Sequence, residues 1–94
     1  MKDGEDIKYY ENGDIWFKCN YLGGKKNGEL IRYFESGVIS IKCNYLEDKY
    51  HGECIHYYEN GEISYKSYYI NDKFVSELEW ISYNRNLKLE LLGL

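Results

Sequence analysis

The sequence predicts an all-β fold: a single elongated antiparallel up-and-down β-meander of about eight strands, built from 24-residue β-hairpin repeats. Three observations carry this expectation. First, one phrase recurs without insertions. Gly4, Gly28 and Gly52 share one register, Gly13, Gly37 and Gly61 a second, with Ile7, Ile31 and Ile55 and then Tyr9, Tyr33 and Tyr57 between them. A fixed period this short marks units that bury their apolar faces by stacking on their neighbours. Second, 12 Tyr and no Pro suit pleated, half-buried strands and leave nothing to interrupt them. Third, Glu-Asn-Gly at 11–13 and 59–61, and Glu-Ser-Gly at 35–37, separate β-prone runs as hairpin turns do.

A single domain covering residues 1–94 is expected, with repeats at about 4–27, 28–51 and 52–75 and a degenerate C-terminal cap at 76–94. Within each repeat, side-chain alternation chooses the hairpin register. A two-residue turn would pair residue 34 with 39 and set Arg32 beside Ile41. A three-residue loop, a type I turn followed by Gly in the left-handed region, pairs 34 with 38. The second register collects Ile31, Tyr33, Ile39, Ile41, Cys43 and Tyr45 on one face and Leu30, Arg32, Phe34, Val38, Ser40, Lys42 and Asn44 on the other. It separates apolar from polar better, and a slip of one residue would flip a whole strand, so it is the register expected.

The connections 23–28, 47–52 and 71–76 read as longer polar loops. The fourth copy decays: Ser76 and Arg85 stand where the other copies have glycine, and Leu87, Leu89, Leu91 and Leu92 replace the Ile/Tyr pattern. An atypical last unit is what a cap requires. Whether it continues as strand or curls as a short helix is open on periodicity alone. A single sheet also lacks a second layer. The Ile/Tyr face must therefore curl strongly on itself, receive the C-terminal segment, or pack against another chain, a second copy included.

A net charge of −4 with mixed signs argues against a dedicated nucleic-acid binder, whose footprint should be basic. The N-terminal Met-Lys-Asp-Gly-Glu-Asp has no apolar run of signal-peptide type. Cys19 and Cys43 hold equivalent positions in successive repeats, two strands and so about 9.6 Å apart, too far to bridge. Reduced thiols and a cytoplasmic location follow as expectations.

The residues Gly28, Tyr33, Phe34, Gly37, Ile39, Lys42, Tyr45 and Lys49, with their counterparts Gly52, Tyr57, Tyr58, Gly61, Ile63, Lys66, Tyr69 and Lys73, resemble the MORN repeat family. The resemblance is to the bacterial variant often attached to antitoxin-like proteins. That resemblance implies an elongated antiparallel sheet used for protein contact or assembly. It also implies lipid binding and, through the antitoxin association, neutralisation of a partner toxin.

No catalytic constellation, metal site or cofactor is expected. Cys54 and His56 form only a Cys-x-His pair, well short of the usual zinc ligand set. The binding candidates form a basic and aromatic stripe on the polar face: Tyr10, Trp16, Arg32, Phe34, Lys42, His56, Tyr58, Lys66 and Trp80. Trp, Tyr and Arg are the types enriched at interface hot spots; a solvated lysine face whose stems cover aromatic rings is the plainer alternative. Trp16 is the anomaly, because Ser40 and Ser64 fill its place. Acidic tips at Glu11, Glu35 and Glu59 suit either solubility or steering toward a basic partner.

The expected function is a non-enzymatic protein–protein interaction module of antitoxin or immunity-inhibitor type, with another protein, a toxin or effector, as partner. The alternatives are a homodimerising structural repeat and a binder of anionic lipid headgroups.

Overall fold

The computed structural model describes residues 2–93. The strands are β1 (Gly4–Tyr9), β2 (Ile15–Leu22), β3 (Lys25–Lys26), β4 (Gly28–Tyr33), β5 (Ile39–Leu46), β6 (Lys49–Tyr50), β7 (Gly52–Tyr57), β8 (Ile63–Ile70) and β9 (Lys73–Val75), followed by helix α1 (Glu77–Leu91). All nine strands form one open antiparallel sheet in the order β1-β2-β4-β5-β7-β8-β9, with β3 paired to β2 and β6 to β5. The molecule is a slab of 52 × 36 × 20 Å.

The hairpin tips have the expected three-residue loop. Phe34 N–H donates to Val38 O at 2.7 Å and Gly37 N–H to Phe34 O at 2.9 Å. Gly37 sits at φ 93°, a conformation that glycine adopts without steric cost. Beyond the tip the register changes. Tyr33 opposes Ile39, but Arg32 opposes Ile41, so Ser40 is the extra residue of a β-bulge. The same shift makes Trp16 and Ser64 the extra residues of the flanking hairpins. Ser40 is buried and donates its hydroxyl to Arg32 O at 3.2 Å, which meets the polar cost of that burial.

The bulge corrects the expected division of faces. Directly opposed residues share a face, so Leu30 and Arg32 join Cys43, Ile41 and Tyr45. Ile31 lies on the other side with Lys42. The tip obeys one register and the body of the hairpin the other. A bulge is the device that reconciles them, because it adds one residue to one strand only.

The connections are also tighter than expected. Each is a two-residue turn flanked by short paired strands, with positive φ at both central residues: Gly23 and Gly24, Glu47 and Asp48, Asn71 and Asp72. That is the type I′ signature, whose twist matches the strands it joins. The C-terminal segment is helical. Ser76 caps it by accepting the Glu79 N–H at 3.1 Å, and its hydroxyl donates to the Glu79 carboxylate at 3.4 Å.

A sheet without a second layer needs another way to keep water from its centre. Here a row of small or compact side chains crosses the middle of one face, termed face A: Cys19, Leu30, Cys43, Cys54 and Ser67. Cys19, Cys43, Cys54 and Ser67 are all buried, whereas among the described residues no large side chain is fully so. Larger side chains on either side close over this floor. The helix lies at the far end on the other face, where Trp80 and Asn44 come within 3.7 Å of a Cβ placed on Gly52.

The cysteines depart from expectation as well. Cys43 and Cys54 are joined by a disulfide, with Cα atoms 4.1 Å apart, while Cys19 is free and buried. The pair lies across β5 and β7, one step beyond the Lys42–Ile55 rung, where opposed Cα atoms approach most closely. Cys54 occupies the repeat position of Leu30, so the bond runs between neighbouring strands rather than between equivalent positions. Among the described residues, no helix is long and apolar enough to cross a membrane.

Candidate functional site

Face A is a trough with that floor and two walls. One wall follows the rungs Lys8–Phe17, Arg32–Ile41 and His56–Tyr65. The other follows Tyr21–Lys26, Tyr45–Tyr50 and Tyr69–Phe74. Both walls repeat because the sequence repeats, and both present aromatic rings next to cations.

The second wall is a row of ring–ring and ring–cation contacts. Lys2 lies 4.8 Å from the Tyr21 ring centre and Lys26 5.2 Å from that of Tyr45. Ring centres are 4.8 Å apart for Tyr45 and Tyr50, 5.1 Å for Tyr50 and Tyr69, and 5.8 Å for Tyr69 and Phe74. Cation–π and offset ring contacts of this kind are each worth about 0.5–1.5 kcal/mol beyond area burial. Burial, followed by the neighbouring Tyr50 hydroxyl, raises the Tyr45 phenol above its ordinary pKa. Burial, followed by Cys19, does the same for Tyr21.

On the first wall His56 stacks on Tyr65 at 4.2 Å, and burial lowers its pKa below the ordinary histidine value. Arg32 is exposed and takes no part in the ion pairs formed among the described residues. It borders two hollows. One, of about 150 Å³, is lined from both walls and the floor by Phe17, Lys26, Arg32, Cys43, Tyr45 and Tyr50 among others. The second, a shallower depression of about 430 Å³, lies toward the hairpin tips.

That depression brings together Tyr10, Trp16, Arg32, Phe34 and His56, with Tyr33, Ser40, Ile41 and Tyr57 completing it. Trp16 reaches it because a bulge re-aims the extra residue. Its ring lies 4.9 Å from Phe17 and 6.2 Å from Tyr10, whose hydroxyl donates to Tyr33 O at 2.6 Å.

The other four candidates lie elsewhere. Lys42 and Lys66 are on the opposite face, paired with Glu29 at 3.7 Å and Glu53 at 3.9 Å. These are solvated pairs of little energetic weight. Tyr58 is exposed at the third hairpin tip. Trp80 belongs to α1, where it stacks on Tyr83 and meets the edge of His51. The single polar stripe expected from the sequence is therefore split: Arg32 and His56 face the trough, and the lysines face away.

Sequence reasoning missed the second wall. A signal for it existed: Lys2, Lys26, Tyr50 and Phe74 form one column of the repeat, next to Tyr21, Tyr45 and Tyr69. The wrong face assignment hid its partnership with Arg32.

No curated protein and no solved structure gives a match to the chain. The family model described as MORN repeat variant matches residues 2–22, 26–47 and 50–71. MORN repeats are, in general, protein- or lipid-binding modules. The matched segments contain β1, β2, β4, β5, β7 and β8 and cover well over half of the sequence, and the chain belongs to the MORN repeat variant family.

Proposed function

We propose that the chain is a non-enzymatic module that binds another protein along the trough of face A. The observation that supports this most directly is Arg32, a guanidinium exposed between two aromatic-lined hollows and engaged by no carboxylate among the described ion pairs. Arg beside Tyr and Trp is the composition of interface hot spots. Lys8, Arg32 and the His56 imidazole recur once per repeat on the first wall, about 9.6 Å apart. That spacing suits holding a long partner and not acting on a single bond. The finer form of this reading is an antitoxin- or immunity-type inhibitor, whose trough occludes the surface of its partner. It is supported by the resemblance of the repeats and by the length of the sheet.

A photo-crosslinking residue placed at position 32 or at position 42 tests the proposal in the source cells. A stoichiometric protein adduct from position 32, with none from position 42, is expected. Equal labelling from both positions, or none from position 32, overturns it. An adduct between two copies of this chain would replace it with the homodimer.

A further inference from the structure

We infer that the trough receives an extended polyproline II segment of the partner that carries a carboxylate at every third residue. This rests on face A being the binding face, and it adds the chemistry of the partner.

The repeat supplies a ruler. Lys8, Arg32 and His56 occupy one register position in successive repeats on rungs of the same wall. Successive repeats are two strands apart, about 9.6 Å. A polyproline II helix makes one turn in three residues and rises about 9.3 Å in doing so. Every third side chain therefore returns to the same wall one repeat further on. A β-strand ligand rises a similar distance in three residues, but its third side chain points to the opposite side. An α-helix rises as far in about six residues, by which point the side chain has turned roughly 120° away from that wall. The polyproline II segment matches in both rise and direction.

The charge at the centre of the trough is positive, and beyond it His56, held toward its neutral form by burial, offers a ring N–H donor. Lys26 and Arg32 line the central hollow, and Lys8 stands one repeat away from Arg32. Among the described strand residues of face A the one carboxylate is Asp6, already shared by Lys2 at 3.2 Å and Lys8 at 4.0 Å. Carboxylates on the ligand complement what remains. Between them, proline rings would pack against the aromatic lining that Tyr45 and Tyr50 give the central hollow, as polyproline II segments dock in aromatic-lined grooves. A polyproline II backbone makes no internal hydrogen bonds, so it does not need the sheet edge, and the trough does not offer one. Single-stranded nucleic acid also favours rings and cations. Oligothymidylate is therefore the competing anion in the test.

Fluorescence polarisation on the intact chain tests the inference with nine-residue labelled peptides. The first repeats Glu-Pro-Pro, the second repeats Lys-Pro-Pro, and the third has the first one's composition with its glutamates in one block. The first should bind at least roughly tenfold more tightly than the others, the effect of about 1.4 kcal/mol. Arg32→Gln and, separately, Lys26→Gln should each weaken it several-fold with unchanged circular dichroism, while Lys42→Gln on the opposite face should not. Equal binding of the block isomer removes the register, and equal binding of the lysine peptide removes the charge argument. No binding of the glutamate peptide at millimolar concentration, or its displacement by oligothymidylate at lower concentration, overturns the inference. A partner still crosslinked at position 32 would leave the protein-binding reading intact when the peptides fail.

Discussion

Asp48 grips the backbone of Lys26 from both sides. Its carboxylate accepts the Lys26 N–H at 2.7 Å, and its own N–H donates to the Lys26 carbonyl at 3.0 Å. Asp72 repeats the grip on Tyr50, at 2.7 and 2.8 Å. At the start of the chain the roles are divided: Gly24 N–H donates to Lys2 O at 2.9 Å and Asp3 accepts from Gly23 N–H at 2.6 Å. The turn of each repeat is thereby tied to the one before it, which holds the second wall of the trough in line.

Asp48→Ala should cost about 1–2 kcal/mol, because it leaves the Lys26 N–H without its charged acceptor. Urea denaturation reads this as a lower midpoint at unchanged slope. Glu47→Gly should stabilise by about 1 kcal/mol. Glu47 lies at φ 49°, in the left-handed region that costs a side-chain-bearing residue about that much. A destabilised Glu47→Gly protein would show that the turn does not have this conformation in solution.

Reduction of the Cys43–Cys54 disulfide should lower stability by about 2–3 kcal/mol, since the loop it closes is short. The sequence separation is 11 residues. Thermal midpoints with and without a thiol reductant should differ for the natural chain and for Cys19→Ser. They should coincide when Cys43 and Cys54 are both serine. A reductant effect that survives the double substitution would assign the loss to another cause.

Stability should fall on both sides of neutrality, for separate reasons. Burial lowers the His56 pKa below the ordinary 6.5. The unfolded chain therefore takes up the proton first as pH falls. This contribution is complete above about pH 6.5 and is lost as pH drops through the folded value. Tyr45 shifts upward, first from burial and then from Tyr50. Its contribution is complete below about pH 10 and is lost as pH rises beyond it. Thermal midpoints against pH should lose part of their acid slope in His56→Gln and part of their alkaline slope in Tyr45→Phe. Unchanged slopes would contradict these environments.

Trp16→Ser should leave the fold intact at a cost below about 1 kcal/mol, because the side chain is exposed. Serine already fills the equivalent bulge at Ser40, where it hydrogen-bonds the Arg32 carbonyl. The same substitution should weaken partner crosslinking from position 32. Retained stability together with undiminished crosslinking would confine Trp16 to packing against Tyr10 and Phe17.

Much of the fold was legible in one dimension. The glycine columns located the three hairpins with Gly13, Gly37 and Gly61 at their tips, and Glu-Ser-Gly at 35–37 predicted the loop that the Phe34–Val38 hydrogen bond closes. The candidate site was legible only in part, because a β-bulge has no reliable signature in alternation. Tyr33 and Ile39 obey one register and Arg32 and Ile41 the other, so any pattern counted straight through Ser40 misplaces one strand. The Lys8/Arg32/His56 column was visible, but it was placed with Lys42 and Lys66, which lie on the opposite face.

Local chemistry sufficed for whatever repeats locally. Period, turn residues and β propensity determined a meander of hairpins and an altered last unit, because each depends on a few consecutive residues. The tertiary structure decided what depends on neighbours across the sheet. It placed the bulge that turns Arg32 toward the rings, and it set Cys54 against Cys43 and not against an equivalent position. It also made a helix of residues 77–91, which Ser76 caps and Trp80 seats beside Gly52. The reason is physical: a strand's periodicity of two identifies its two faces but not which face of the adjacent strand each one joins. Only the pairing of one strand with the next supplies that.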